Sequence, residues 1–156
     1  MPRYWLAIVL LTGCAAHGYR FSTDHHIYHP GQMVTATLTN YSPRAIGYNL
    51  CGIQLQRRDG NDWRWQSFWV PALRGNATTI ERVPKEQIAC ILVLRSLKPW
   101  IRRDVTFGLN DDTPPGEYRI STSIEWEEKE FLWLFRFGPS GDSQVITTPT
   151  FVITRP

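Results

Sequence analysis

The sequence predicts an all-β protein, an immunoglobulin-like antiparallel β-sandwich that follows an N-terminal signal segment. Beyond Cys14 the hydrophobic residues recur with a period of two, which is typical of half-buried strands rather than of helices. Turn-forming residues separate these runs, and no stretch combines helix caps with an apolar stripe. Roughly six to eight short strands with such turns are typical of two sheets packed face to face.

The individual strands are predicted from alternation and from the turns between them. Val34, Ala36 and Leu38 alternate with threonines in the clearest strand, and the turn residues 59–62 join two shorter runs in a hairpin. The predicted strands are 33–39, 53–57, 63–66, 88–94, 103–109, 117–124 and 150–154.

Two segments fit this pattern less simply. Residues 70–85 are rich in Pro, Gly, Asn and Thr, so we expect a long loop or an edge excursion there. The apolar run 131–137 is either a core strand or a flap that extends a hairpin beyond the sandwich.

The first 13 residues have the layout of a secretory signal. Arg3 supplies a positive charge, and an apolar run follows it from Tyr4 to Leu11. This run is far shorter than the roughly 20 residues that a membrane-spanning helix needs. The predicted organisation is a signal peptide at 1–13, a modified cysteine with a short tether at 14–18 and an immunoglobulin-like domain at 19–156.

The residues Leu11-Thr12-Gly13-Cys14 resemble the lipobox of bacterial lipoproteins. The resemblance implies that the Cys14 thiol receives a diacylglycerol, that the chain is cut before Cys14, and that the new amine is often acylated as well. Two or three acyl chains would hold the protein stably on a membrane, since each buried CH₂ contributes about 0.8 kcal/mol. Ala15, where an Asp would favour the inner membrane, favours the outer membrane, with the domain facing the periplasm or the surface. An ordinary signal peptide with a chance cysteine is the alternative.

Charge and cysteine content narrow the function further. The net charge of +3 comes from 17 basic and 14 acidic residues spread along the chain, so we expect no nucleic-acid partner.

With Cys14 modified, Cys51 and Cys90 form an even pair in an oxidising compartment, and we expect a disulfide between them. Two buried free thiols are the competing interpretation.

A second resemblance covers roughly residues 18–154. It rests on five motifs: Tyr28-x-Pro30-Gly31-Gln32, Leu38-Thr39-Asn40-Tyr41-Ser42, Gly60-x-x-Trp63, Pro115-Gly116-Glu117-Tyr118-Arg119-Ile120 and Thr150-Phe151-Val152-Ile153. Their order resembles the immunoglobulin-like domains of bacterial lipoproteins and of the intracellular proteinase inhibitor (BsuPI-like) group.

The second resemblance implies a sandwich with cysteines placed as Cys51 and Cys90 are. It also implies a possible inhibitor function, in which an exposed loop at 70–87 enters a protease cleft. The segment Ser96-Leu97-Lys98-Pro99-Trp100 departs from the pattern of the group.

Side chains capable of metal binding or acid–base chemistry are present but poorly placed. On a strand, His25 and His29 would lie roughly 13 Å apart, so we predict surface histidines and no metal site. The acidic run 125–130 contains Lys129 and is predicted to be a solvated hairpin rather than a catalytic pair. No G-x-S-x-G nucleophile elbow occurs, and we expect neither enzymatic activity nor a cofactor.

The aromatic residues are the best candidates for a binding site. Trp63 and Trp65 are predicted to share one face of their strand, and Trp133 lies in the apolar run 131–137. Such residues could form a platform for sugars or peptides, or could belong to the core. The sequence therefore predicts a lipid-anchored, non-enzymatic module for a protein or glycan partner, with a proteinase inhibitor as the alternative.

Overall fold

The structure is a computed structural model that describes residues 18–49, 52–73, 80–88, 95–126 and 143–155. One short 3-10 helix, Lys85–Gln87, occurs in these ranges, and no helix within them is long and apolar enough to cross a membrane. The strands within these ranges are β1 Tyr19–Thr23, β2 Ile27–Tyr28, β3 Met33–Asn40, β4 Ile46–Tyr48, β5 Gln54–Asp59, β6 Asp62–Gln66, β7 Trp69–Leu73, β8 Ile80–Pro84, β9 Arg95–Leu97, β10 Arg102–Gly108, β11 Gly116–Trp126, β12 Ser143–Thr147 and β13 Phe151–Ile153.

The strands form two sheets that pack as an immunoglobulin-like β-sandwich. The first sheet has the order β1-β3-β10-β7-β8, and its pairs are antiparallel. The second sheet is built on the long strand β11, which pairs with β13 and β12 along one side and with β5 and β4 along the other. Strands β2, β6 and β9 extend this sheet outward, and among the described strands β2 alone makes a parallel pair, with β13.

The core lies between the sheets because alternate residues of each long strand point inward. Val34, Ala36 and Leu38 of β3 are fully buried, and Phe107 of β10 packs at 4.8 Å, ring to ring, against Phe68. From the second sheet the core receives buried side chains of the same kind, each worth about 1.5–3 kcal/mol of transfer free energy. These are Tyr28, Ile46, Tyr48, Leu55, Leu97, Tyr118, Ile120, Ile124, Ile146, Phe151 and Ile153.

The strands predicted from strong alternation are confirmed with small shifts of their ends. The strand predicted at 33–39 is β3, and the hairpin predicted around 59–62 is β5–β6, whose turn places Gly60 at φ 62°. The strands predicted at 103–109, 117–124 and 150–154 are β10, β11 and β13. Residues 89–94 of the strand predicted at 88–94 lie outside the described residues.

The prediction of a long loop at 70–85 is wrong, and that of an edge excursion is confirmed. Strands β7 and β8 form an antiparallel hairpin at the edge of the first sheet, with Pro71 opposite Arg82. Pro71 is tolerated because β7 pairs with β10 only at Trp69, so a proline beyond that point breaks no ladder between two neighbours. The tip of the hairpin, 74–79, lies outside the described residues.

Gly108 is required by the packing of Trp69 across the first sheet. A Cβ atom at position 108 would lie 1.9 Å from the Trp69 ring. The ring is only 8% exposed, its Nε1 donates to the Leu109 carbonyl at 3.0 Å, and the Arg82 guanidinium stacks on it at 4.8 Å. This close approach lets an aromatic side chain lie flat on the outside of the sheet.

Asn40 closes one end of the sandwich. Its fully buried side chain donates to the carbonyls of Arg44 and Leu97, at 2.7 and 2.9 Å, and accepts from the backbone and hydroxyl of Ser42. The Asn40 backbone bonds Trp100 and Ile101. One residue therefore joins two of the connections between the sheets, the one from β3 to β4 and the one from β9 to β10.

We expect Asn40→Ala to lower the free energy of unfolding by about 2–4 kcal/mol, because it leaves buried carbonyl and amide groups without partners. Urea denaturation followed by tryptophan fluorescence measures the change. Thr39→Ala, at the neighbouring outward position of β3, is the matched control. A loss for Asn40→Ala no larger than that of the control would contradict this role.

Candidate binding surface

The outer face of the second sheet carries a patch of aromatic and charged side chains. Tyr118 and Ile120 of β11 fill the core, so Glu117 and Arg119, which alternate with them along the strand, point away from it. The register places Gln56 of β5 beside Arg119, and Trp65 of β6 beside Gln56.

The neighbouring row of the same face contains Trp63. Its register partner Arg58 lies beside Glu117, whose carboxylate it contacts at 2.8 Å. The six residues of these two rows, Gln56, Arg58, Trp63, Trp65, Glu117 and Arg119, are named here the Trp63–Trp65 face.

Arg119 is the organising side chain of this face. Its guanidinium carbon lies 4.2 Å from the centre of the Trp63 ring, and its Nε donates to Gln56 Oε1 at 2.8 Å. A cation–π contact at a surface site contributes about 0.5–1 kcal/mol, and the hydrogen bond fixes the direction of the guanidinium. Trp63 is therefore half-buried beneath a positioned cation.

Trp65 is the exposed aromatic residue of the face. It is 49% exposed, which is unusual for so large an apolar side chain beside a completed core. Its strand β6 pairs, among the described residues, with β5 only, so the face continues to the edge of the sheet, where the Trp65 carbonyl accepts a hydrogen bond from the Gln66 side chain at 2.9 Å. An edge of this kind can accept an added strand from a peptide, and the indole can stack on an apolar surface.

The apolar character continues across the sheet. Val152 lies beside Glu117, and Ile27 lies beside Val152; they are 39% and 63% exposed. The arrangement thus combines an exposed indole, a fixed guanidinium and amide, and flanking aliphatic groups. Such a surface can bind an extended partner by stacking and hydrogen bonding.

The sequence predictions for the site have different outcomes. The register confirms that Trp63 and Trp65 share a face, and it shows that this face is the outside of the sandwich rather than the core. Cys14, Cys51, Cys90 and Trp133, together with 131–137, lie outside the described residues, so lipidation, the disulfide and a role for Trp133 stay predictions.

Arg119 and Gln56 were not identified from the sequence. Both occur in alternating polar positions that look like any solvent-facing strand residue. Only the pairing of β5 with β11 brings them together, and no local pattern encodes that pairing.

The histidine cluster is held by separate local contacts. His25 Nδ1 lies 3.0 Å from an Asp24 carboxylate oxygen, whereas His29 Nδ1 lies 3.0 Å from the Thr154 carbonyl. A cavity of about 350 Å³ opens beside them, lined by His25, Ile27, Tyr28, His29, Gln32 and Met33. Within the described ranges, no group of three potential metal ligands occurs.

Asp24 links β2 of one sheet to β3 of the other. The buried Tyr28 hydroxyl donates to Asp24 Oδ1 at 2.6 Å, and the Thr35 amide donates to the same oxygen at 2.9 Å. Burial acts to raise the pKa of Asp24, but these hydrogen bonds outweigh it and hold the pKa below its ordinary value of 3.8. Burial and the nearby carboxylate raise the pKa of Tyr28, which stays a neutral donor.

Comparison with known proteins gives distant likenesses to solved structures. No protein-family model matches the sequence, and no curated protein matches it. Among solved structures, the chain is similar to Spo0M, a sporulation control protein from Bacillus subtilis, with 15% identity and a TM-score of 0.41 over 88% of this chain. The match covers 50% of the Spo0M chain, so this protein spans half the length of that relative.

A second likeness is to PapD-like domain 7 of human CEP192. The identity is 8% and the TM-score 0.34, with 99% of each chain covered. Neither likeness bears on what this chain binds.

We expect acid to destabilise the domain partly through Asp24. Because the folded-state pKa is lowered, the contribution of Asp24 to stability is complete above its ordinary pKa and is lost as the pH falls through the lowered value. In Asp24→Asn, the fall of the melting temperature between about pH 5 and pH 2 should therefore be shallower than in wild type. The exposed Asp112→Asn is the control, and thermal melts measured across that range decide. Parallel curves for wild type and Asp24→Asn would show that the carboxylate does not contribute.

Proposed function

We propose that this chain is a lipid-anchored, non-enzymatic module of the bacterial cell envelope that binds a protein or glycan partner through the Trp63–Trp65 face. One observation carries the proposal: the half-exposed Trp65 lies beside a Trp63–Arg119 stack on the outside of a completed sandwich. The core does not need either indole, because the inward positions of β5 and β11 are already filled by Leu55, Tyr118 and Ile120.

The residue types of this face support a binding role. Trp and Arg are enriched among the residues that dominate binding energy at interfaces, while neighbouring polar groups exclude water and set orientation. Arg119 is already held by Gln56 before any partner arrives, so little side-chain entropy remains to be lost on association. The exposed pair Arg58–Glu117 adds polar groups beside the aromatic rings rather than stability.

The proposed anchor comes from the N-terminal sequence. The lipobox resemblance at Cys14 supports lipidation there and attachment to a membrane, with the outer membrane favoured by Ala15. A disulfide between Cys51 and Cys90 belongs to the same proposal, since export places both in an oxidising compartment.

The experiment is affinity capture from detergent-solubilised envelope extract with the immobilised protein. The double variant Trp63→Ala/Trp65→Ala should retain at least about tenfold less partner than wild type, since the loss of an aromatic hot spot costs about 2 kcal/mol or more. Trp100→Ala, which removes an exposed indole elsewhere on the domain, is the matched control and should retain the wild-type amount.

The same capture separates the possible partners. Protease treatment of the extract should abolish retention of a protein, and periodate oxidation should abolish retention of a glycan. Equal retention of partner by wild type and the double variant would show that the Trp63–Trp65 face is not the binding site.

A further inference from the structure

A second exposed aromatic cluster lies at the end of the sandwich closed by Asn40. Trp100 is 70% exposed, Tyr41 45% and Ile101 42%. The Tyr41 and Trp100 rings meet edge to face, with centres 6.3 Å apart and planes at 68°. These side chains form one apolar projection outside the core.

The backbone places Trp100 outward at an energetic cost. Among the described residues other than glycine, Trp100 alone has a positive φ, of 63°. A bulky residue is rarely found in this conformation, which persists only where surrounding contacts hold it. Here the Trp100 amide donates to the Asn40 carbonyl at 2.7 Å, and the Ile101 amide donates to Lys98.

Basic residues lie near the three residues of this projection in the chain or in the sheet register. The exposed ones are Arg20, Arg44, Lys98, Arg102 and Arg103. Among the described residues, none of these five forms an ion pair. Asp104, the nearest acidic residue along β10, already accepts a hydrogen bond from Thr37 at 2.7 Å. Trp and Tyr favour the headgroup level of a bilayer, and exposed Lys and Arg favour anionic lipid.

The chain enters the domain at this same end. The Gly18 carbonyl accepts a hydrogen bond from the Tyr41 amide at 2.8 Å, so the first described residue lies beside the aromatic cluster. Gly18 is the fourth residue after Cys14, and four residue steps span at most about 14 Å. A lipid on Cys14 would therefore keep Trp100 close to the bilayer surface.

The sheet pairing also places the last residues of β11 at this end of the sandwich. Trp126 pairs with Ile46, Ile46 pairs with Leu97, and Ser143 lies opposite Glu125.

We propose that the Asn40 end docks on an anionic lipid bilayer, with Trp100 and Tyr41 at headgroup level and the basic side chains on lipid phosphates. This orientation rests on the proposed anchor at Cys14. It directs the Trp63–Trp65 face away from the membrane, because Arg119 lies seven residues, or about 23 Å, along β11 from Trp126. The anchor tethers the domain, and the aromatic end sets its orientation.

The test uses the full-length mature protein purified from cells and reconstituted in vesicles of equimolar phosphatidylethanolamine and phosphatidylglycerol. Phospholipids brominated on the acyl chains near the headgroup quench tryptophans that lie at that depth. Trp100→Ala should lose roughly a third or more of the wild-type quenching, whereas Trp65→Ala should lose none. If the fluorescence of Trp100→Ala is quenched as strongly as that of wild type, the proposal is overturned, and a protein partner becomes the occupant of this end.

Mass spectrometry of the same protein preparation shows whether Cys14 carries lipid, and so distinguishes a failure of the docking proposal from a failure of the proposed anchor. If the chain carries lipid on Cys14 but Trp100→Ala is quenched as wild type, the anchor stands and the orientation fails. If the chain carries no lipid, the anchor fails, and sedimentation with the same vesicles decides. Trp100-dependent sedimentation would still uphold docking by the aromatic end, and its absence would overturn it.

Discussion

The hydrogen bonds of the buried Asn40 side chain are the constraint on which the arrangement of the two sheets depends. The chain crosses between the sheets after β3 and again before β10, and both of these crossings are bonded to this residue through Arg44, Leu97 and the backbone of Trp100. A buried amide can form these bonds only if the two connections lie side by side. The fully hydrogen-bonded Asn40 side chain therefore holds the two connections together over this end of the core. Through the backbone bond to Trp100, Asn40 also sets the shape of the exposed aromatic cluster.

Strand alternation then divides the molecule into regions with different properties. Inward positions of β3 and β11 build the core, and outward positions of β11 build the Trp63–Trp65 face together with β5 and β6. The face lies toward one end of the sandwich, and the Trp100 cluster lies at the other. The proposed partner site and the proposed membrane contact are thus separated by the length of β11, so that neither would obstruct the other.

Local pattern predicted the fold class and the long strands, since a run such as Met33–Asn40 shows several periods of alternation. It did not predict β1, β2, β4, β9 or β12, because strands of two to five residues are stabilised mainly by partners distant in sequence. Alternation placed Trp63 and Trp65 on one face but could not say which face, since a period of two is the same inside and outside. The two indoles lie outside the core because β6 pairs beyond β5, past the edge of the core. The stack of Arg119 on Trp63 depends in addition on the pairing of β5 with β11, whose residues are distant in sequence.

The central claim, that the Trp63–Trp65 face is the one that meets a partner, is tested most directly by photocrosslinking in intact cells. A photoreactive amino acid replaces Arg58, which lies on this face, or Ser22, which lies on the outer side of β1 in the opposite sheet. The account predicts a discrete crosslinked species from position 58 and none from position 22. Crosslinks from position 22 alone, or equal crosslinks from both positions, would contradict it.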